Sequence, residues 1–314
     1  MPRQPLPPRL AGSAFTTATA REQGVYRGRL RGSDLVSPHH GIHVDAASAA
    51  EDDILSRCER LLPALGPDHW YSHRTAARVW GIPLDPVYST VEGLHVLTVG
   101  GRSPVRHAGV IGWITADDAL PREMFGLVPV VSPGAVWAQL AQRGAVVGGE
   151  MIAFDWLVAA ADYLLTGKRG PDGERGAAMC TMEDLRAEVE RRGAGRGIAT
   201  LRAALQAARY PVDSPYETFA RLGLVAEGLP EPQVQVPVET RDGLRHADLG
   251  YPEKRLLLEY QGDEHRTSRR RWLQDLTRVQ LFQDAGYDVL LIGADDVRPD
   301  CAALAERVRR ALAR

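Results

Sequence analysis

The chain has 314 residues, long enough for two domains or three small ones with real hydrophobic cores. Its 38 basic and 40 acidic residues leave a net charge of -2, which excludes a uniformly basic nucleic-acid coat or a polybasic membrane binder; any phosphate-binding surface has to be local. A hydrophobic content of 44% with 25% charged residues excludes wholesale disorder and fibrous repeats.

Lysine occurs at Lys168 and Lys254, and every other basic residue is Arg. Cys58, Cys180 and Cys301 are far apart and form no C-x-x-C pair, so neither a disulfide framework nor a cysteine zinc site is expected, and a reducing cytoplasm is the expected compartment. MPRQPLPPRL at the start has no apolar run of signal-sequence length, and no later stretch approaches the roughly 18 apolar residues of a membrane span. A soluble cytoplasmic protein without a membrane partner is expected.

In chain order, residues 14 to 44 predict a short helix from Thr16 or Thr17, a turn at Gly24 and a second short helix across Arg27 to Arg31. A hairpin of Leu35 to Pro38 and Ile42 to Val44 around Gly41 follows. That order is the layout of a winged helix, whose second helix enters a DNA groove. Residues 1–48 are therefore expected to form a DNA-binding region using Arg27, Arg29 and Arg31, the competing reading being a solvated cap on the next domain. His39, His40 and His43 are either a metal-chelating set or exposed polar residues of the wing.

Residues 49–208 read as a mixed α/β middle domain. Helices are expected over Ile54 to Leu65, from Ser72 as N-cap to a stop at Gly81, over Pro133 to Arg143 and from about Gly149 to Leu165. Strands are expected at Leu94 to Val99, Val110 to Ile114 and Val128 to Val131. Gly100-Gly101 reads as a hairpin turn, because no phosphate-loop motif follows it. Thr166 to Gly176, TGKRGPDGERG, reads as a loop or linker, and two helices over Glu183 to Arg192 and Gly197 to Ala208 lead into the last domain.

Residues 209–314 carry the sharpest signal. Ser214 and Pro215 open a helix with Glu217 in its first turn. Strands are expected at Val234 to Glu239 and His246 to Tyr251, the second containing Asp248, and then across RLLLEYQG at 255–262, where period two puts Glu259 and Gln261 on one face. Asp248 and Glu259 can meet across a hairpin and offer the oxygen donors that a hard divalent cation takes. Glu259 directly follows three leucines, where an unpaired carboxylate is costly to bury unless a cation, or emergence into solvent, relieves it.

Asp248-x₁₀-Glu259-x-Gln261, with Glu217 upstream, resembles the PD-(D/E)XK phosphodiesterase superfamily, the restriction-endonuclease-like fold. SPYET at 214–218, ADLGYPEKRLLLEYQGDEH at 247–265 and RRRWLQDLTRVQLFQDAGYDVLLIGADDV at 269–297 are similar to its very-short-patch-repair-like endonuclease branch. Residues 14–44 and SHRTAARVWGIPL at 72–84 resemble the AbiEi-type antitoxins of type IV toxin-antitoxin systems. The resemblance implies a Mg²⁺-dependent DNA endonuclease, with Mn²⁺ as substitute. Asp248, Glu259 and the Tyr260 carbonyl would hold the metal, Glu217 a second ion or a water, and Gln261 would orient the attacking water. His265 would carry a proton, position a phosphate or serve structurally. Gln261 stands at the superfamily's lysine position, so a neutral amide replaces a point charge. Arg266, Arg269, Arg270, Arg271 and Arg278 oppose one acid, Asp275, and could grip a phosphate backbone, with Trp272 stacking on a base or packing in the core.

The expected fold class is α/β (mixed α+β): a winged helix, a mixed middle domain and a restriction-endonuclease-like C-terminal domain. The competing function is a non-catalytic DNA-binding regulator or antitoxin with a degenerate nuclease fold; a metal-independent partner-binding protein is a third reading. DNA is the expected partner. A homodimer, a partner toxin or antitoxin, and DNA against RNA stay open from sequence.

Overall fold

A computed structural model describes residues 5–88, 93–101, 103–142, 152–169, 174–262 and 269–314, the side chains of 269–275 excepted. The protein is of the mixed α+β class, and its chain divides into two compact units, Met1–Ile152 and Ala153–Arg314. Among the described residues no helix is long and apolar enough to cross a membrane.

The first unit opens with β1 (Phe15–Thr16) and α1 (Thr17–Glu22), capped by the Thr16 hydroxyl, which accepts from the Thr19 N–H at 3.0 Å. The hairpin is present as β2 (Leu35–His39) and β3 (Ile42–Asp45), with Gly41 in the left-handed region at φ 75°. The three strands form a small sheet in the order β1-β3-β2 over a core of Leu10, Phe15, Ala20, Leu30 and Leu35. The second helix expected across Arg27 to Arg31 is one 3₁₀ turn, Arg29–Arg31. Gly28 and Gly32 flank it, and so short a segment cannot repay helix nucleation.

The rest of this unit holds α2 (Ile54–Leu61), β4 (His69–Tyr71), α3 (His73–Trp80), β5 (Leu94–Val99), β6 (Val110–Thr115), β7 (Arg122–Phe125), β8 (Val128–Val131) and α4 (Pro133–Leu140). The strands form one mixed sheet in the order β6-β5-β4-β8-β7, with β5 buried throughout. Gly81 ends α3 at φ 71°, as expected of a left-handed cap. β4 and β7 were not anticipated; each is short and lacks an apolar alternation.

The second unit begins with α5 (Phe154–Leu165), α6 (Met182–Arg192) and α7 (Ile198–Ala207). The helix expected from about Gly149 thus starts at Phe154, and 143–151 lie outside the described residues. These three helices, assigned from sequence to the middle domain, fall in the same unit as the C-terminal sheet. Then follow α8 (Pro215–Ala226), β9 (Gln233–Thr240), β10 (Gly243–Tyr251), β11 (Leu256–Tyr260), α9 (Arg269–Asp284), β12 (Asp288–Ile292) and α10 (Ala302–Leu312). The sheet order is β12-β11-β10-β9, antiparallel except for the parallel β11/β12 pair. β11 therefore has a neighbour on each side, which is why Leu256, Leu257 and Leu258 are all buried. Val236, Val238, Ala247 and Leu257 pack with Phe282 of α9.

A buried polar knot joins α5 to α8. The Asp162 carboxylate accepts from the Thr218 hydroxyl at 2.7 Å, the Arg209 N–H at 2.7 Å and the Arg221 guanidinium at 3.2 Å. Arg221 also reaches Glu231 at 2.8 Å. Desolvation outweighs these bonds and lifts the Asp162 pKa to about 6.

Candidate functional site

Three elements of the second unit bring three carboxylates to one open cleft of ≈ 940 Å³. Ser214 caps α8 by accepting from the Tyr216 N–H at 3.2 Å, and Pro215 stands at the first helical position, so Glu217 falls in the first turn. Leu249 pairs with Leu258 between β10 and β11, and one register step further sets Asp248 opposite Glu259. The Asp248 N–H donates to Glu259 Oε1 at 3.1 Å, and the Tyr260 N–H donates to Asp248 Oδ2 at 2.9 Å. All three acids are buried: Glu217 is 3% exposed, Asp248 9% and Glu259 3%.

Arg278 of α9 joins this pair. Its guanidinium bonds Asp248 Oδ1 at 3.0 Å and Glu259 Oε2 at 3.0 Å, and it donates to the His246 carbonyl at 2.6 Å. Burial opposes its charge, but Asp248 and Glu259 outweigh burial and raise its pKa. The acids move the other way from an ordinary ion pair. Desolvation, reinforced by the charge of Asp248, pushes Glu259 up to about 8. Glu217 rises for the same two reasons, and Asp248 rises through desolvation although Arg278 pulls against it. One guanidinium leaves the cluster short of positive charge.

The expected residues are brought together in part. Glu217, Asp248, Glu259, Tyr260 and Gln261 all line the cleft. The Gln261 N–H, one residue past the end of β11, donates to the Ile292 carbonyl at 2.8 Å, and Gln261 lines the cleft. His265 and Arg266 lie outside the described residues, as do the side chains of Arg269, Arg270, Arg271 and Trp272. Arg278, read from sequence as one of a run gripping phosphate, binds the carboxylates. Lys168, Arg169, Arg175 and Asp213 also line the cleft, and sequence reasoning passed over the first three because TGKRGPDGERG has the composition of a linker. Tyr216 and Tyr260 stack beside the acids, with ring centroids 5.0 Å apart and planes 4° from parallel.

Oxygen donors alone make the chemistry of Glu217, Asp248 and Glu259 suitable for a hard cation such as Mg²⁺, and a cation would remove the cost of burying them together. Among the described residues, however, no group of three or more His, Cys, Asp or Glu side chains is arranged to hold a metal ion. The Arg278 guanidinium already bridges two of the three acids, so a metal there would need it to turn away.

In the first unit a separate groove of ≈ 840 Å³ is lined by Arg21, Arg27, Arg31, His39, His40 and His43 among others. Arg29 is not part of it: 7% exposed, it forks onto Asp34 at 3.1 and 2.7 Å and is committed to holding the turn. Both ring nitrogens of His43 are engaged, with the hydroxyls of Thr17 and Ser37 at 3.0 Å each, and burial lowers its pKa.

Two uncharacterized proteins of Mycobacterium tuberculosis, from strains CDC 1551 / Oshkosh and ATCC 25618 / H37Rv, are 35% identical to this chain over 144 residues. The match covers 44% of this chain and 53% of each relative, so the chain spans about half the length of the curated relatives it matches. No protein-family model matches the chain. No solved structure matches it.

Proposed function

We propose that the second unit is a metal-dependent nuclease hydrolysing phosphodiester bonds in DNA, of the PD-(D/E)XK kind. The observation that supports this is the convergence of three buried carboxylates, Glu217, Asp248 and Glu259, on one open cleft that Gln261 also borders. Asp248, Glu259 and the Tyr260 carbonyl are the ligands proposed for Mg²⁺ or Mn²⁺, with Glu217 beside them. Mg²⁺ bound there would supply Lewis acidity and offset charge developing on the phosphate. Gln261 orients a water through its amide, and Arg278, released from the carboxylates, supplies the positive charge that Gln261 cannot.

The test is cleavage of supercoiled plasmid with Mg²⁺ or Mn²⁺, with thermal shift as a second readout. Cleavage and a metal-induced rise in melting temperature are expected of the wild type, with both lost in Glu259→Ala. Identical behaviour of the two proteins overturns the reading.

A second reading, a non-catalytic DNA-binding regulator of the antitoxin type, is favoured by the Arg278 bridge, which stabilises the carboxylates without a metal, and by the Arg-lined groove of the first unit. It predicts promoter binding that is lost on changing Arg27 and Arg31 and unaffected by Glu259→Ala.

A further inference from the structure

Both described ends of the segment that composition marks as a linker line the cleft, Thr166 to Arg169 and Arg175. The Gly176 N–H donates to the Lys168 carbonyl at 2.9 Å, and Arg169 and Arg175 pair as an antiparallel bridge, so the chain folds back on itself. The fold-back needs glycine at 167, where an added Cβ would fall 1.6 Å from the Gly176 carbonyl oxygen. Thr166 anchors the entry, its hydroxyl accepting from the Val212 N–H at 3.0 Å.

Three cations stand on these two paired stretches at the cleft that holds the carboxylates: Lys168, Arg169 and Arg175. Asp213 organises two of them. Arg175 binds both its oxygens, at 2.7 and 3.1 Å, and Arg169 Nε binds Oδ2 at 3.1 Å. The Asp213 N–H in turn donates to Glu217 Oε2 at 3.2 Å, which ties Arg169 and Arg175 to the acidic cluster. Arg169 Nη2 also donates to Gln235 Oε1 at 3.1 Å, and Gln235 is held at φ 47° inside β9, a left-handed conformation that costs a non-glycine residue energy. Asp213 thus pairs with Arg169 and Arg175 but not with Lys168, and Lys168 and Arg169 are exposed at the cleft.

We propose that Lys168, Arg169 and Arg175 form a phosphate grip that holds a nucleic-acid backbone along the cleft, so that a phosphodiester is presented to Glu217, Asp248 and Glu259. The inference rests on the nuclease reading and names the grip of that site. Arg175 and Asp213 are its fixed part, while Lys168 and Arg169 meet the phosphates, a task that needs charge and no base contact. The grip therefore takes single and double strands alike.

The test is fluorescence anisotropy of a fluorescein-labelled DNA duplex, and of its single strand, over a salt series in EDTA. The full chain carries Arg27→Ala and Arg31→Ala so that the groove of the first unit does not contribute. Adding Lys168→Ala and Arg169→Ala is expected to weaken both probes on the order of tenfold at about 0.1 M salt. The slope of log Kd on log salt should fall by about 2, one unit per phosphate contact removed. Lys168→Ala alone, a change at an exposed side chain, lowers the slope by about 1, and Lys168→Arg restores it. Equal slopes with and without the cations, or a parent that binds neither probe, overturns the grip. Because binding is read without metal, the two readings fail separately. A parent that binds through these residues and never cleaves DNA refutes the nuclease alone. A chain that cleaves while the double variant binds unchanged refutes the grip alone.

Discussion

Glu259 follows three buried leucines in β11, and burial together with the charge of Asp248 lifts its pKa from 4.5 to about 8. Between those values the folded protein keeps a proton that the unfolded chain has released. Stability must therefore fall as pH rises through that window, the reverse of a carboxylate held in a favourable ion pair. Glu217 and Asp248 are raised too and add slopes of the same sign. Urea unfolding at about pH 5 and about pH 8 should show the metal-free protein less stable at the higher pH, and Glu259→Gln should flatten the difference. A profile unchanged by the substitution would show that Glu259 ionises normally. Arg278→Ala removes the guanidinium bridging the two acids. It should cost about 1–2 kcal/mol at about pH 8, discounted for a side chain that is partly exposed, and should enlarge the Mn²⁺-induced rise in melting temperature. A Mn²⁺ response equal to that of the wild type would mean that Arg278 does not compete for the site. The acids were legible in the sequence, since a carboxylate after a leucine run is conspicuous. The role of Arg278 was not, because it sits in a helix among other arginines and its partners lie on strands β10 and β11.

At the scale of elements, α5 and α8 are joined by the Asp162–Arg221 ion pair, each side chain 1% exposed. Asp162→Ala leaves Arg221 buried with Glu231 at the rim, and thermal or urea denaturation should show a loss of about 3 kcal/mol, the lower end for a broken buried pair. A loss under about 1 kcal/mol would mean that Arg221 reaches solvent. Neither residue stood out in the sequence, where Asp162 reads as one polar position of an apolar helix. The pairing of 167–169 with 174–176 makes the same point for a connection. Gly167→Ala puts a methyl on the Gly176 carbonyl, so the strands must part and the cations move; DNA affinity should drop as far as in the Lys168/Arg169 double variant. Wild-type affinity would show that the geometry of this pairing is immaterial. Composition reported the glycines and charges correctly as signs of a connection, but a bridge between Arg169 and Arg175 depends on what Asp213 and Gln235 offer from elsewhere in the chain.

At the scale of the molecule, every described residue of the carboxylate cleft belongs to Ala153–Arg314. A chain of residues 153–314 should accordingly melt cooperatively and keep both the metal-induced stabilisation and the plasmid cleavage. A fragment that melts cooperatively but is inert with metal and DNA would mean that the first unit supplies something essential. Near-neutral net charge concealed this organisation: Arg21, Arg27 and Arg31 line the groove of the first unit, while at the cleft of the second Lys168, Arg169, Arg175 and Arg278 stand beside Asp213, Glu217, Asp248 and Glu259.

The sequence by itself determined the α+β class, the hairpin at 35–45, the cap of α8 and the three carboxylates, because these depend on local periodicity, turn residues and residue type at short spacing. Tertiary structure alone decided that Arg29 is an internal strut, that Arg169 and Arg175 pair beside the carboxylate cleft, and that Arg278 is shared by Asp248 and Glu259. Each of those outcomes turns on which charge meets which across the fold, and neither spacing nor composition encodes the distance between groups far apart in the chain.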